Sequence, residues 1–224
     1  NIGWENFDAA GHLGKLLNIP VAIQNDANTA AYGELKCGSA KGKTSICFVT
    51  LGTGVGGGVI LGGKILTGAT GAAGEIGHIH IEDKEGDACG CGNHGCLEQY
   101  ASATGIVRLA KRRLEADTKD SVLRQGEVSA KTVFDAVKAG DEVACEIAEQ
   151  FGQYLGKGLA AIAAVVNPEA FVIGGGVSKA GDILCQYITK YYEKYAFHGC
   201  MNAQFKLATL GNDAGIYGAA KLVL

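Results

Sequence analysis

Proline is nearly absent from this sequence, with 2 residues in 224, and charge of either sign is not in excess. So little proline excludes a collagen-like chain and a proline-rich low-complexity segment. The formal net charge of −3 gives no electrostatic reason to bind nucleic acid or an anionic membrane. The first residues also lack the basic-then-apolar pattern of a secretory signal. We therefore predict that neither nucleic acid nor a membrane is a partner.

One segment without charge, Thr44–Gly63, is twenty residues long, which is long enough to cross a bilayer. It contains seven glycines, and its apolar residues alternate in a way that is typical of two strands. We therefore interpret it as part of a sheet and not as a membrane helix.

Glycine, in contrast, is abundant, with 35 of 224 residues, which is about twice its usual share. Hydrophobic residues make up 47% of the chain, enough to form a folded core, so intrinsic disorder is excluded. We expect the glycines at turns and at close approaches of the backbone.

The hydrophobic pattern predicts a mixed α/β fold. Strands are predicted at Pro20–Gln24, Ser45–Leu51, Val59–Leu61, Lys64–Leu66, Ala170–Ile173 and Gln204–Thr209. Helices are predicted at 8–17, 27–35, 97–116, 130–139, 141–166, 180–194 and 213–222, with a long loop over 67–96. From residue 45 the order is three meandering strands, a helical insertion and then alternating helices and strands. This order matches half of a ribonuclease H-like or actin-like fold better than an all-parallel Rossmann sheet.

A glycine-rich loop, Gly52–Gly58, satisfies the pattern G-x-G-x-x-G. A dinucleotide-binding loop needs a helix directly after it, whereas a strand is predicted here. A protein-kinase loop is excluded because the chain contains neither H-R-D nor D-F-G. We interpret the loop as a turn between strands whose backbone N–H groups, with the Thr53 hydroxyl, approach phosphate oxygens. The alternative is an ordinary hairpin with a bulge.

Three of the eight cysteines, Cys89, Cys91 and Cys96, fall within eight residues. This glycine-flanked C-x-C-x4-C segment places three thiolates on a tight turn, and a fourth ligand would complete a tetrahedral zinc site. The histidines that could supply this ligand are His78, His80 and His94, of which His94 is cramped inside the small loop. The alternative is three buried free cysteines. A metal site leaves five other cysteines, an odd number, which favours a reducing cytoplasm over a disulfide-bonded secreted protein.

Two carboxylates and a histidine flank the cysteines. Glu75 and His78 lie in one flexible loop, and Glu98 follows Cys96 by two residues. If zinc joins His78 to the cysteines, the three side chains come close together and suit the hydroxyls of a polyol. The alternative for Glu98 is a place in the first turn of its helix, where the dipole favours an acid.

Asn25 and Asp26 follow a predicted strand and directly precede a helix. Asp26 is either the N-cap of this helix or a general base at the edge where open α/β sheets bind their ligands. The local pattern alone does not separate these two roles.

Taken together, these motifs resemble the ROK family of bacterial repressors, open reading frames and sugar kinases. The similarity starts at Asn1 and extends to the last helix, and its diagnostic segments are Asn25–Asn28, Leu51–Gly58, Gly74–His78 and Cys89–Glu98. The resemblance implies an actin-like ATPase fold and ATP-dependent phosphorylation of a hexose, with glucose the first candidate. It also implies Mg²⁺ with the ATP, a structural Zn²⁺, a cytoplasmic location, and a homodimer or larger homo-oligomer.

The resemblance further implies roles for individual residues. Asp26 takes the proton from the sugar 6-hydroxyl, and the sugar is held by Asn25, Asp26, Glu75, His78 and Glu98. Zinc is held by His78, Cys89, Cys91 and Cys96, with His80 a minor alternative to His78. The ATP phosphates are bound by Gly52, Thr53, Gly54, Gly56 and Gly57, and the adenosine by Gly174, Gly175 and Gly176.

One departure from the family is the missing Asp-x-Gly-Gly-Thr phosphate loop of its kinases. We therefore expect the chain to be the C-terminal two-thirds or so of a kinase, weakly active or inactive alone. Residues 1–30 would be a remnant of the small lobe, 31–208 the large lobe with its cysteine loop, and 209–224 a helix crossing back. The alternatives are a sugar-responsive transcriptional repressor, a silent sugar-binding module, or a kinase for N-acetylmannosamine, allose or fructose.

Overall fold

Five strands form one mixed sheet in the order β3-β2-β1-β4-β5 in the computed structural model, which describes residues 7–224. The antiparallel half consists of β1 (Ile46–Leu51), β2 (Val55–Leu61) and β3 (Lys64–Ile65). On its other edge β1 pairs in parallel with β4 (Ala170–Gly174), which pairs in parallel with β5 (Gln204–Leu207). The carboxyl ends of β1, β4 and β5 therefore lie at one edge of the sheet.

The helices found in the described residues cover both faces of this sheet. They are α1 (Ala9–Leu17), α2 (Asp26–Cys37), α3 (Glu98–Ala101), α4 (Ala103–Ala116), α5 (Ala130–Lys138), α6 (Glu142–Val166), α7 (Asp182–Tyr195) and α8 (Ala214–Val223). The longest, α6, is alanine-rich and is capped by Asp141, whose carboxylate accepts the Ala144 N–H.

Alternation along β1 divides the core into two clusters, because successive side chains point to opposite faces of a sheet. Cys47, Val49 and Leu51 belong to the larger cluster, which includes residues of α4 to α7. Ile46 and Phe48 belong to the smaller cluster, which includes residues of α2. This burial explains why β1 reads as an almost continuous apolar run.

Helix α8 crosses α2 at close range. A methyl group added to Gly33 would collide with the backbone oxygen of Ala214, and one added to Gly218 would collide with that of Thr29. Both positions therefore need glycine, which lets the two backbones approach each other. As a result, the C-terminal helix lies against the helix that begins with Asp26.

Most predicted elements are confirmed, but three are wrong. The predicted strand Pro20–Gln24 is absent: residues 20–25 have no regular structure, and 58% of Ile23 is exposed. The predicted loop Gly52–Gly58 is shorter, because β2 already begins at Val55 and pairs with β1. The predicted helix 97–116 is interrupted at Ser102, whose backbone is extended and whose side chain caps α4.

The predicted division at residues 30 and 31 falls inside α2, and the first six residues of the predicted small-lobe remnant lie outside the described range. The assignment of lobes therefore stays a prediction. Within residues 7–224, each helix is too short or too polar to cross a lipid bilayer.

Candidate functional site

A cavity of about 590 Å³ opens where the parallel strands end. Its lining includes Thr50 from β1, Gly174 from β4, Asp26 from the start of α2, and Thr209 from the segment after β5. The carboxyl edge of a mixed sheet is where α/β proteins commonly bind ligands. The structure thus brings Asp26 and the predicted adenosine glycines Gly174, Gly175 and Gly176 to the same cavity.

Asn25, and not Asp26, caps helix α2. Its Oδ1 accepts the N–H of Asn28 at 3.1 Å, whereas Asp26 is the first residue of the helix and accepts the neighbouring Ala27 N–H. The N-cap role considered for Asp26 is therefore wrong, and its carboxylate is exposed at the cavity. Because the Asn25 oxygen is engaged by the cap, the side-chain amide NH₂ is the group with which Asn25 can donate to a ligand.

Two glycine turns lie side by side at this edge. The first, Gly52–Gly54, joins β1 to β2, and a methyl group on Gly52 would meet nothing within 4 Å. In the second turn Gly175 has a φ of +82° and lies so close to Leu51 that a methyl group would be 2.5 Å from its backbone oxygen. The open backbone at Gly52 and at Gly176, where a methyl group would also meet nothing within 4 Å, leaves room for a ligand beside both turns.

Gly56 and Gly57, two of the predicted phosphate-binding glycines, lie in β2 and not in the turn. A methyl group on Gly56 would lie 2.8 Å from the Thr50 side chain, and one on Gly57 would lie 2.5 Å from the Gly74 carbonyl oxygen. Their position within the strand indicates close packing. The open backbone belongs to Gly52, since a methyl group on Gly54 would collide with the Glu98 carboxylate.

This packing places the loop Gly74–His78 along β2. Gly57 accommodates Gly74, and Gly77 contacts the backbone of Val55, where a methyl group would collide. Ile76 is buried between them, and the single 3₁₀ turn Ile76–His78 leaves the side chains of Glu75 and His78 exposed. The glycines thus bring the two predicted sugar-binding side chains beside the start of β2.

The four predicted zinc ligands form one cluster. The ligand atoms of His78, Cys89, Cys91 and Cys96 all lie within 4.8 Å of one another. His78 Nδ1 is 3.8 Å from Cys89 Sγ, and the sulfurs of Cys91 and Cys96 are 3.7 Å apart. Sulfurs at about 2.3 Å from a tetrahedral zinc are about 3.8 Å apart, so the donor set and its spacing fit this metal.

His80 is engaged elsewhere. Its Nδ1 lies 2.9 Å from the carbonyl oxygen of His94, and its Nε2 lies 2.7 Å from the carboxylate of Asp83. Both ring nitrogens are therefore occupied, and neither is among the clustered ligand atoms. Of the histidines that the sequence leaves open, His78 is the one whose ring nitrogen lies in the cysteine cluster.

Glu98 connects this cluster to the first glycine turn. Its Oε2 accepts the Val55 N–H at 2.9 Å, and its Oε1 lies 3.8 Å from Cys89 Sγ. His78 and Glu98, two of the three predicted sugar-binding groups in this region, therefore meet at Cys89. Glu75 precedes the same 3₁₀ turn as His78. Glu98 also occupies the first turn of α3, so the dipole alternative describes its position as well.

A buried carboxylate holds the cysteine loop from the other side. The side chain of Glu85 is 1% exposed and accepts hydrogen bonds from Tyr100, at 2.5 Å, and from Arg108 and Arg112. Burial alone would raise the pKa of Glu85, but Arg112, Tyr100 and Arg108 outweigh it and lower this pKa to about 2. Sequence reasoning missed this network, because its partners are 15 to 27 residues apart and share no motif.

Glu34 was also missed. Fully buried, it accepts the backbone N–H groups of Ser39, Thr209 and Leu210 at 2.7–2.8 Å. It thereby attaches the cavity wall at Thr209 to the end of α2. The sequence signal that could have found it is the position of this glutamate among Ala27, Ala31 and Leu35, which repeat at helical spacing.

The sequence is similar to those of known proteins. The model of the ROK family matches residues 1–224. The chain is 45% identical over 229 residues to a glucokinase of Halalkalibacterium halodurans, covering 100% of this chain and 69% of the relative. It is 37% identical to an N-acetylmannosamine kinase of Escherichia coli O157:H7, covering 98% of this chain and 70% of the relative.

A solved structure gives the same result for the fold. The structure of a ROK family glucokinase from Streptomyces griseus in complex with glucose and AMPPNP superposes with a TM-score of 0.84 at 38% identity. The match covers 99% of this chain and 74% of that chain. The predicted actin-like ATPase fold is confirmed by this likeness.

Proposed function

This chain belongs to the ROK family, and from this premise we propose that it transfers the γ-phosphoryl group of ATP to a hexose, with glucose as substrate and glucose 6-phosphate as product. The observation that carries the proposal is the placement of the Asp26 carboxylate and the Gly174–Gly176 turn on one cavity, beside the Gly52–Gly54 turn. A base, a turn that can bind the ATP phosphates and a turn that can bind the adenosine, all at one edge, are what phosphoryl transfer from ATP to an alcohol requires.

In this mechanism Asp26 accepts the proton of the attacking 6-hydroxyl as the bond to phosphorus forms. The role is supported by its exposed carboxylate at the cavity and by the Asn25 cap, which makes Asp26 dispensable for starting the helix. The N–H groups of Thr53 and Gly54 stabilise the negative charge of the transferred group, whereas the Gly52 N–H donates to the Gly54 carbonyl oxygen within the turn. Mg²⁺ bound with the ATP phosphates supplies further neutralisation of this charge.

The sugar lies against the side chains of Asn25, Glu75, His78 and Glu98, which accept from and donate to its remaining hydroxyls. The proposal is supported by the meeting of His78 and Glu98 at Cys89 and by the exposure of Glu75 and His78 beside β2. With Nδ1 of His78 directed at the cysteines, Nε2 is the nitrogen that faces a ligand.

A structural Zn²⁺ held by His78, Cys89, Cys91 and Cys96 is part of the proposal, supported by the four ligand atoms, which all lie within 4.8 Å of one another. Zinc at this point joins the loop of Glu75 to the loop that leads into Glu98. Its role is therefore to hold the sugar-binding groups together, not to take part in the transfer.

The lobe division at residues 31 and 209, a cytoplasmic location and a homodimer or larger assembly are further proposals, which rest on the family resemblance. Helix α8 packs along α2, which begins at Asp26 within the predicted remnant of the small lobe, and this packing supports the assignment of residues 209–224 as a helix that crosses back to that lobe.

The substrate is tested with an ATP-dependent phosphorylation assay over glucose, N-acetylmannosamine, allose and fructose, with the chain alone and with the full-length product of its gene. N-acetylmannosamine is the second candidate, because a kinase for this sugar is 37% identical to the chain. We expect the highest kcat/KM for glucose. Phosphorylation of none of these sugars by either protein, together with sugar-dependent binding to DNA, would instead favour the repressor alternative.

A further inference from the structure

The start of helix α4 holds the turn Gly52–Gly54 through two hydrogen bonds. The N–H of Ala103 donates to the carbonyl oxygen of Gly52 at 2.8 Å. The hydroxyl of Thr104 donates to the carbonyl oxygen of Thr53, also at 2.8 Å, across 51 residues of sequence. Two successive carbonyl groups of the turn are thus directed toward the same helix end.

These two bonds set the orientation of the turn's amides. In a trans peptide plane the N–H points opposite to the C=O. The N–H of Thr53 shares a plane with the carbonyl of Gly52, and the N–H of Gly54 shares a plane with that of Thr53. Both N–H groups therefore point away from α4 and are available to an anion that approaches the turn from its other side.

Ser102 ties this arrangement to the sugar-binding side. Its buried hydroxyl donates to the carbonyl oxygen of Glu98 at 2.7 Å, accepts the Gly105 N–H at 2.9 Å and lies 2.9 Å from the Thr104 hydroxyl. The role of Ser102 is explained by capping α4. Thr104 does not cap the helix, and its hydroxyl donates instead to the Thr53 carbonyl oxygen of the turn.

We propose that Thr104 is a positioning residue for phosphoryl transfer, because its hydroxyl directs the peptide plane whose Gly54 N–H binds the transferred phosphate. The inference rests on the proposed kinase function and goes beyond it by assigning a role to a residue outside the glycine turn. Without the Thr104 donor, the Thr53 carbonyl loses its partner and the plane is free to rotate, which turns the Gly54 N–H away from a phosphate.

The test compares Thr104→Val, which keeps the shape and removes the hydroxyl, with Thr104→Ser, which keeps the hydroxyl, in the full-length protein. Two ligands separate phosphate binding from base binding: AMPPNP, which carries phosphates, and adenosine, which does not. We expect Thr104→Val to weaken AMPPNP binding about five- to tenfold, as for the loss of one hydrogen bond. Adenosine binding should change less than about twofold, and Thr104→Ser should bind both ligands like the wild type.

Kinetics supply a second readout. Thr104→Val should raise the KM for ATP and lower kcat, while the KM for glucose and the midpoint of thermal unfolding stay close to those of the wild type. Equal weakening of AMPPNP and adenosine, or failure of Thr104→Ser to restore binding, would overturn the positioning role. Wild-type binding of AMPPNP without turnover of any hexose would reject the kinase proposal, while the comparison of the two ligands would still decide the role of Thr104.

Discussion

The carboxylate of Glu98 accepts a 2.9 Å hydrogen bond from the N–H of Val55, across 43 residues of sequence. Glu98 follows the last cysteine of the metal cluster by two residues, and Val55 begins β2 directly after the turn Gly52–Gly54. This one bond therefore joins the proposed zinc and sugar side of the site to the proposed phosphate side.

Gly54→Ala tests this junction. A methyl group at this position would occupy the place of the Glu98 carboxylate oxygen, so Glu98 has to move while the backbone can stay. We expect the KM for glucose to rise about tenfold, as for loss of a hydrogen bond to a charged group. The measurement is steady-state kinetics with glucose varied at saturating ATP.

Gly52→Ala is the matched control for Gly54→Ala, because its methyl group meets nothing within 4 Å. It should leave the KM for glucose within about twofold of the wild type. An unchanged KM for glucose in Gly54→Ala would show that the sugar does not depend on the position of Glu98.

Asp26→Asn separates catalysis from helix capping. Loss of the base should lower kcat about 10²- to 10⁴-fold. Because Asn25 makes the cap bond to Asn28, the free energy of unfolding of Asp26→Asn should change by less than about 1 kcal/mol. Both quantities are measured on one preparation, by enzyme assay and by denaturant unfolding.

Asn25→Ala is the counterpart, since it removes the cap and keeps the carboxylate. We expect it to lower the free energy of unfolding by about 1 kcal/mol. Near wild-type turnover by Asp26→Asn would contradict the assignment of Asp26 as the general base.

Elemental analysis tests the metal cluster. The wild type should carry about one zinc per chain, and Cys96→Ser or His78→Gln should lose it. The metal-depleted variants should also unfold at lower temperature, because the loop loses its cross-link.

Cys37→Ser and His80→Gln control for general effects of losing a cysteine or a histidine. Cys37 is a free cysteine outside the cluster, and His80 is bonded to Asp83 and His94. Both variants should retain the zinc. If His78→Gln retained its zinc and His80→Gln lost it, the assignment of the fourth zinc ligand would be reversed.

The Glu85 network predicts a pH-dependent contribution to stability. The pKa of Glu85 is lowered from 4.5 to about 2 in the folded chain, so its ionised form stabilises the fold. This contribution is fully present above the unfolded pKa of 4.5 and is lost as the pH falls through about 2. Glu85→Gln should therefore lower the free energy of unfolding by about 2–3 kcal/mol at pH 7, with a clearly smaller difference at pH 3.

Denaturant unfolding of both proteins at the two pH values measures this effect. Glu115→Gln, an exposed glutamate of the same helix as Arg112, should differ from the wild type by less than about 0.5 kcal/mol at either pH. A difference between wild type and Glu85→Gln that does not change with pH would indicate a packing effect instead of a charge effect.

Local pattern predicted the elements whose burial is decided by their own residues. The apolar runs of β1 and β4 predict strands, the long alanine-rich pattern of α6 predicts a helix, and all three elements are confirmed. The segment Pro20–Gln24 has an equally apolar pattern but no neighbouring strand in the described part of the chain, and its Ile23 is exposed. A strand needs a partner for its backbone groups, and the local pattern does not contain that partner.

The sequence by itself determined the components of the site: three cysteines on one tight turn, two glycine turns after apolar strands, and an Asn-Asp pair before a helix. Within each of these signals the residues are only a few positions apart, so their spacing alone predicts the local geometry. Tertiary structure decided between alternatives that the local sequence does not separate. It engaged His80 with Asp83 and left His78 for the cysteines, it assigned the cap to Asn25, and it buried Glu85 against Arg108 and Arg112. Each of these outcomes depends on which polar groups the fold brings together. A buried polar atom needs a hydrogen-bond partner, and local sequence does not show which group supplies it.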